Sequence, residues 1–290
     1  MKNKLLNSVL ITLIFLGMYV GIRALPSSDC GFLHYEVLEI TEDGIELCAT
    51  SHPGFLDFTR LSYPISVKIH SDGDIIAGQK NRLTLRVSDP RGRPLYPHDL
   101  AITHTERIHL MVIDPELGDY HHLHPRADGF SSEYLVDWTP AHAGNYRFYA
   151  EMVPLQTRRQ VVGNGELQVK AAGEKGIPLI ARVPDFLDIN VEYDAPRVRR
   201  DVPVRVSIQR NDGGVLALEN IMGDFAHMVG FDQEGRGFIH MHTIPTGREK
   251  NATAELEFLF HGGERGKYRL WLQIKVDGEE VFFPYDLWIS

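Results

Sequence analysis

The chain repeats itself. His109, Asp114, His122 and His124 recur as His227, Asp232, His240 and His242, each 118 residues later and without a gap. Downstream, AGNYRFY at 143–149 matches RGKYRLW at 265–271 with an offset of 122. Upstream, LTLRVSDPRGRPL at 83–95 matches VRVSIQRNDGGVL at 204–216 with an offset of 121. Three blocks in the same order in both halves read as a tandem duplication. The first repeat takes 62–171 and the second 184–290, with a Gly- and Pro-containing linker over 172–183. Whatever one half folds into, the other must also.

Each half reads as strands. YPISVKIHS and RLTLRVSD in the first, and LDINVEY and VPVRVSIQ in the second, alternate apolar with polar residues, the period of a half-buried strand. DPRG, NDGG and HGGERG supply the turns. No segment beyond the N-terminus sustains a helical period. Several short strands in about 110 residues predict an all-β chain of two tandem immunoglobulin-like β-sandwich domains after an N-terminal hydrophobic segment. The blocks holding Tyr146 and Tyr268 fit the tyrosine corner of such sandwiches, with Gly144 and Gly266 at the turn. Trp138 and Trp271 are expected in the core.

The N-terminus adds a location. MKNK is followed by an uncharged apolar run over 5–22, a basic start and hydrophobic stretch that predict export. Residues 1–24 are read either as a cleaved signal peptide or as an anchor left in the inner membrane by residues 5–22. Lys2 and Lys4 stay cytoplasmic under either reading. The rest is then periplasmic or extracellular, and losing Lys2, Lys4 and Arg23 takes its formal charge from −9 to −12. That acidity argues against nucleic acid, whose phosphates need clustered Lys and Arg. Residues 25–61 form a separate N-terminal segment. Its Cys30 and Cys48 are expected to pair in an oxidising compartment; two free thiols, or a metal pair of Cys48 with His52, are the alternatives.

The histidines carry the chemistry. IHLMVI, the turn DPELGD and YHHLH imply a hairpin. Alternation places His109 and Met111 on one strand face and His122 and His124 on the matching face of the return strand. A turn near residue 117 sets His109 opposite His124, with Met111 diagonal to His122, so three imidazoles converge. Asp114 is expected as a fourth ligand or an orienting carboxylate. The second repeat offers His227, Asp232, His240 and His242 by the same geometry, while Met228 and Met241 face the core. Imidazole suits copper, zinc, nickel and iron, and thioether favours Cu(I). The competing reading takes these histidines as structural, lining an interface between the repeats. His104 and His121, with no counterpart in the second repeat, are read as surface residues, as are His52, His70, His98, His142 and His261. No Gly-x-Ser-x-Gly, His-Glu-x-x-His, P-loop or dinucleotide fingerprint occurs, so no enzyme is expected.

The pattern IHLMVIDPELGDYHHLHP followed by AGNYRFYAEM resembles exported bacterial proteins with tandem HLHP-type sandwich repeats, and is similar to the small periplasmic β-sandwich modules of the FixH and YtkA-like kind. The resemblance covers roughly 60–290. The second repeat departs from it with HMHTIP in place of HLHP. It implies copper handling or metal-enzyme assembly. The combined expectation is an extracytoplasmic metal-binding protein, copper first and zinc second, acting as carrier, sensor or assembly factor. Its partners would be the ion and another extracytoplasmic or membrane protein. The alternative is a non-catalytic sandwich module for protein contacts.

Overall fold

The computed structural model describes residues 2–24, 35–41, 44–49, 54–172, 183–198, 200–243, 249–250 and 252–290. It divides into two units, Met1–Gly31 and Phe32–Ser290. The first is an α-helix over Lys2–Ala24, with exposed apolar side chains from Leu10 to Val20. Among the described residues no helix is long and apolar enough to cross a membrane.

The second unit is all-β. Its N-terminal hairpin joins Tyr35–Thr41 to Gly44–Ala49. Cys30, His52 and the Cys48 side chain lie outside what is described, and with them both expectations for this segment.

Each repeat is a two-layer sandwich. In the first, a four-stranded sheet (Ser66–Ser71, Asn81–Ser88, Glu133–Trp138, Arg126–Ala127, in spatial order) faces a five-stranded one (Ile75–Ile76, Val161–Lys170, Gly144–Met152, Ile108–Ile113, Tyr120–Leu123). In the second, Leu187–Tyr193, Asp201–Arg210, Thr253–His261 and Glu249–Lys250 face Glu279–Ile289, Gly266–Val276, Ala226–Asp232, Gly237–His242 and Leu56–Asp57. The fifth strand of the second repeat thus comes from upstream of the first. Leu56 approaches so closely that a Cβ on Gly237 would lie 1.7 Å from its carbonyl oxygen, which is why glycine stands there.

The alternating strands behave as their sequence demands. Leu83, Leu85 and Val87 turn into the first core while Arg82, Thr84 and Arg86 turn away from it. Val204, Val206 and Ile208 do the same in the second. Met228 and Met241 lie in that core, as expected. The corners form too. The Tyr146 hydroxyl donates to Asp119 Oδ2 at 2.6 Å and accepts from the His142 backbone N–H at 3.1 Å. The Tyr268 hydroxyl donates to the Glu264 carbonyl at 3.0 Å and accepts from the Glu264 N–H at 3.1 Å. Gly144 and Gly266 take φ of 155° and 137° at these corners.

A third cluster lies between the repeats. Met111, Ile113, Leu117, Tyr120, Tyr149 and Val162 of the first pack with Val229, Phe231, Phe238 and Trp271 of the second, joined by Leu56. The strands Ile108–Ile113 and Ala226–Asp232 are therefore buried on both faces, one against their own sandwich and one against the other repeat. A strand covered on both sides reads as a continuous apolar run, which is what IHLMVI and AHMVGF are. Trp271 belongs to this inter-repeat core, and Trp138 to the first sandwich.

Candidate metal centre

The histidines lie on the faces that the repeats turn toward each other. In the first repeat the ladder sets Leu110 opposite Leu123 and Met111 opposite His122, so Met111 is directly across from His122 and not diagonal to it. His227 sits opposite His242, and Val229 opposite His240. One ligand atom from each of His109, His122 and His124 lies within 4.8 Å of the others, and the same holds for His227, His240 and His242. His109, His122, His227 and His240 are at most 6% exposed. The two triads adjoin: the ring centroids of His122 and His240 are 5.5 Å apart, and those of His109 and His240 are 6.1 Å apart.

Hydrogen bonds set which nitrogen of each ring is bare. His109 Nε2–H donates to the Thr103 carbonyl at 2.8 Å, and His227 Nε2–H donates to the Ile221 carbonyl at 3.0 Å. A carbonyl only accepts, so in the neutral ring Nδ1 is left with its lone pair. Gln273 Nε2 donates to Glu280 at 2.9 Å, which leaves Oε1 facing His122 Nδ1 at 3.0 Å. His122 Nε2 is then the bare nitrogen. It stands 3.2 Å from the bare Nδ1 of His109. Burial holds both rings below the usual imidazole range, His122 well below, so neither is readily an imidazolium. Two lone pairs facing one another repel. A cation between them removes the conflict, and two nitrogens each bound at 2.0–2.1 Å in a tetrahedral site stand about 3.3 Å apart.

The second triad makes the same point differently. His227 Nδ1, His240 Nε2 and His242 Nδ1 are buried and have no hydrogen-bond partner among the described residues, as is true of His124 Nε2. The other nitrogen of His240 donates to Glu151 Oε2 at 3.4 Å. Three buried, unpartnered imidazole nitrogens, two of them left bare by outer hydrogen bonds that orient the His227 and His240 rings, suit a metal ion. The donor set fits a transition metal.

Asp114 and Asp232 are elsewhere. Asp114 Oδ1 accepts from the backbone N–H of Gly118 and Asp119, at 2.6 and 2.8 Å, and closes the hairpin turn. Asp232 accepts from the Gly237 N–H at 3.0 Å and pairs with Arg236 at 2.8 Å. Neither joins a triad.

Three residues escaped the sequence reading. Glu151 and Gln273, 6% and 1% exposed, occupy one duplicated position, the polar residue near the end of AGNYRFYAEM and RGKYRLWLQI. Each is paired across its own sheet with the first histidine of its repeat, His109 or His227, and hydrogen-bonds the middle histidine of the other repeat. The offset of 122 already marked them as equivalent. The third is His104, whose placement at the surface needs correction. Its ring stacks on His242 at 3.9 Å and 16° and lies 5.9 Å from His227. Burial, then His109, pushes it down to about 3. It projects from a left-handed turn, φ 49°, whose counterpart in the second repeat is Met222, φ 53°. His121 is half-buried too, 3.0 Å from Asp119 and against the Trp138 ring. His70 and His98 are exposed, and His142 and His261 are half-buried.

A family model described as "Domain of unknown function (DUF8832)" matches residues 64–164 and 181–290, one segment per repeat. No curated protein matches the chain. Among solved structures, the Escherichia coli adhesin FdeC is similar at 14% identity and a TM-score of 0.26, over 85% of this chain and 69% of that one. Fibronectin(III)-like modules of Clostridium thermocellum CbhA are similar at 11% identity and a TM-score of 0.19, over 77% and 94%. Red sea bream transglutaminase is similar at 9% identity and a TM-score of 0.25, over 80% and 32%.

Proposed function

The chain belongs to the DUF8832 family, and we propose that it binds transition-metal ions, copper first and zinc second, at the two histidine triads. His109, His122 and His124 hold one ion; His227, His240 and His242 hold the other. The observation that carries this reading is the 3.2 Å approach of His109 Nδ1 to His122 Nε2, both bare, in a buried site. Copper leads because among divalent first-row ions it binds nitrogen donors most tightly. Zinc follows because three imidazoles near tetrahedral spacing suit it.

The role is carrier, sensor or assembly factor. Among the described residues the groups that converge are imidazoles, and the buried Glu151 is engaged by His240, which supports a binding role. The basic start and uncharged run over 5–22 support an extracytoplasmic location, reached by a signal peptide or an anchor. The resemblance to FixH and YtkA-like modules supports a partner in metal delivery. A second reading, histidines that serve only to join the repeats, is favoured by their position between the two sheets.

Equilibrating the chain with Cu(I), Cu(II) or Zn(II) separates the two. The metal reading expects two ions per chain and a melting temperature that rises with free ion, because an ion that binds only the native state stabilises it. A folded sample that takes up neither ion and shows no shift refutes it. The double variant His122→Ala, His124→Ala is expected to retain one ion.

A further inference from the structure

We propose that the two sites are unequal, and that His227, His240 and His242 form the tighter site for a divalent ion because Glu151 backs it with a buried negative charge. This rests on reading the triads as metal sites. The duplication isolates the difference. At one equivalent position, with an offset of 122, the first repeat carries Glu151 and the second carries Gln273. Both are buried, and both hydrogen-bond the middle histidine of the opposite triad.

Their chemistry differs by one charge. The His240 Nδ1–H donates to a carboxylate oxygen, which makes Nε2 a stronger donor to an ion and offsets part of the ion's charge inside a low-dielectric layer. The His122 Nδ1–H donates to an amide oxygen, which offers dipole but no charge. Behind that amide, Gln273 Nε2 donates to Glu280 at 2.9 Å. Glu151 is buried and its Oε2 lies 3.4 Å from His240 Nδ1, so its carboxyl group is aimed at the ring nitrogen behind the one that would bind the ion. Its field reaches His109 as well, but its hydrogen bond goes to His240.

His104 adds a second inequality. The first repeat sends this fourth imidazole onto His242, whereas the equivalent turn of the second repeat carries Met222, a softer thioether. Glu151 and His104 thus both make their direct contact with the second triad.

Zinc competition against a chromophoric chelator tests this. Wild type is expected to take up two zinc ions in two resolved steps. His122→Ala with His124→Ala should leave the tighter step, and His240→Ala with His242→Ala the weaker one, at least tenfold apart. Glu151→Gln keeps the shape and the acceptor, so it preserves the fold where alanine variants empty buried space. It should weaken the tighter step by about 10–100-fold, the usual loss for an outer partner of a metal ligand, and narrow or close the gap between the steps. Two equal steps in wild type, a tighter first-repeat site, or a Glu151→Gln titration that overlays wild type would overturn the inequality while leaving metal binding intact. No zinc at either site overturns both.

Discussion

Acidifying the metal-free protein should destabilise it between pH 7.5 and pH 5.5, and the histidine layer sets the size of the loss. Burial first, then His109, pushes His104 and His124 from 6.5 down to about 3. Both rings are neutral in the folded protein throughout this window. In the unfolded chain each titrates near 6.5. Below that value the unfolded state binds protons that the folded state refuses, so stability falls as the pH falls. At pH 5.5 an unfolded histidine has gained about 1.4 kcal/mol from protonation, and the two rings together cost about 3 kcal/mol. His109, His122, His227 and His242 are shifted in the same direction, by burial above all, and add to the loss. Against a typical stability of 5–15 kcal/mol, 3 kcal/mol is a large fraction. Urea unfolding in chelator, followed by tryptophan fluorescence, should show the midpoint dropping by about 1 M or more between the two pH values, given a slope of roughly 2–3 kcal/mol/M for a unit of this size. The variant His104→Ala, His124→Ala should lose much of that pH dependence even if it is less stable at pH 7.5. Equal midpoints at the two pH values in wild type would show that the folded layer accepts protons freely, and the case for bare, buried lone pairs would fall with it.

Three other perturbations have expected outcomes. Phe231→Ala removes a ring 1% exposed from the inter-repeat core and should cost about 3–5 kcal/mol, read as a fall in melting temperature; a change under 1 kcal/mol would mean the repeats are not joined there. Tyr146→Phe strips the hydroxyl that bridges Asp119 and the His142 N–H and should cost about 1–3 kcal/mol by urea unfolding. Gly237→Ala should dislodge Leu56–Asp57 from the sheet edge, visible as faster amide exchange there; unchanged protection would contradict the close approach.

Much of the local structure was legible because it is periodic or repeated. LTLRVS alternates because one face of its strand meets a core and the other does not. The tyrosine corners announced themselves through a glycine two residues before each Tyr. The triads followed from alternation on a hairpin, since cross-strand neighbours share a face. Asp114 and Asp232 misled, because an aspartate beside a turn satisfies backbone N–H groups before it reaches anything farther off.

Two sandwiches, their corners and two sets of three histidines could be read along the chain, because each depends on residues near one another or tied by a constant offset. Folding adds that the two sets adjoin, that Glu151 and Gln273 exchange partners across the repeats, and that His104 leaves its own half to stack on His242. Those contacts join residues about 90 to 150 positions apart, between faces whose packing is set by the shape and burial of whole sheets, and no period along the chain encodes which face meets which.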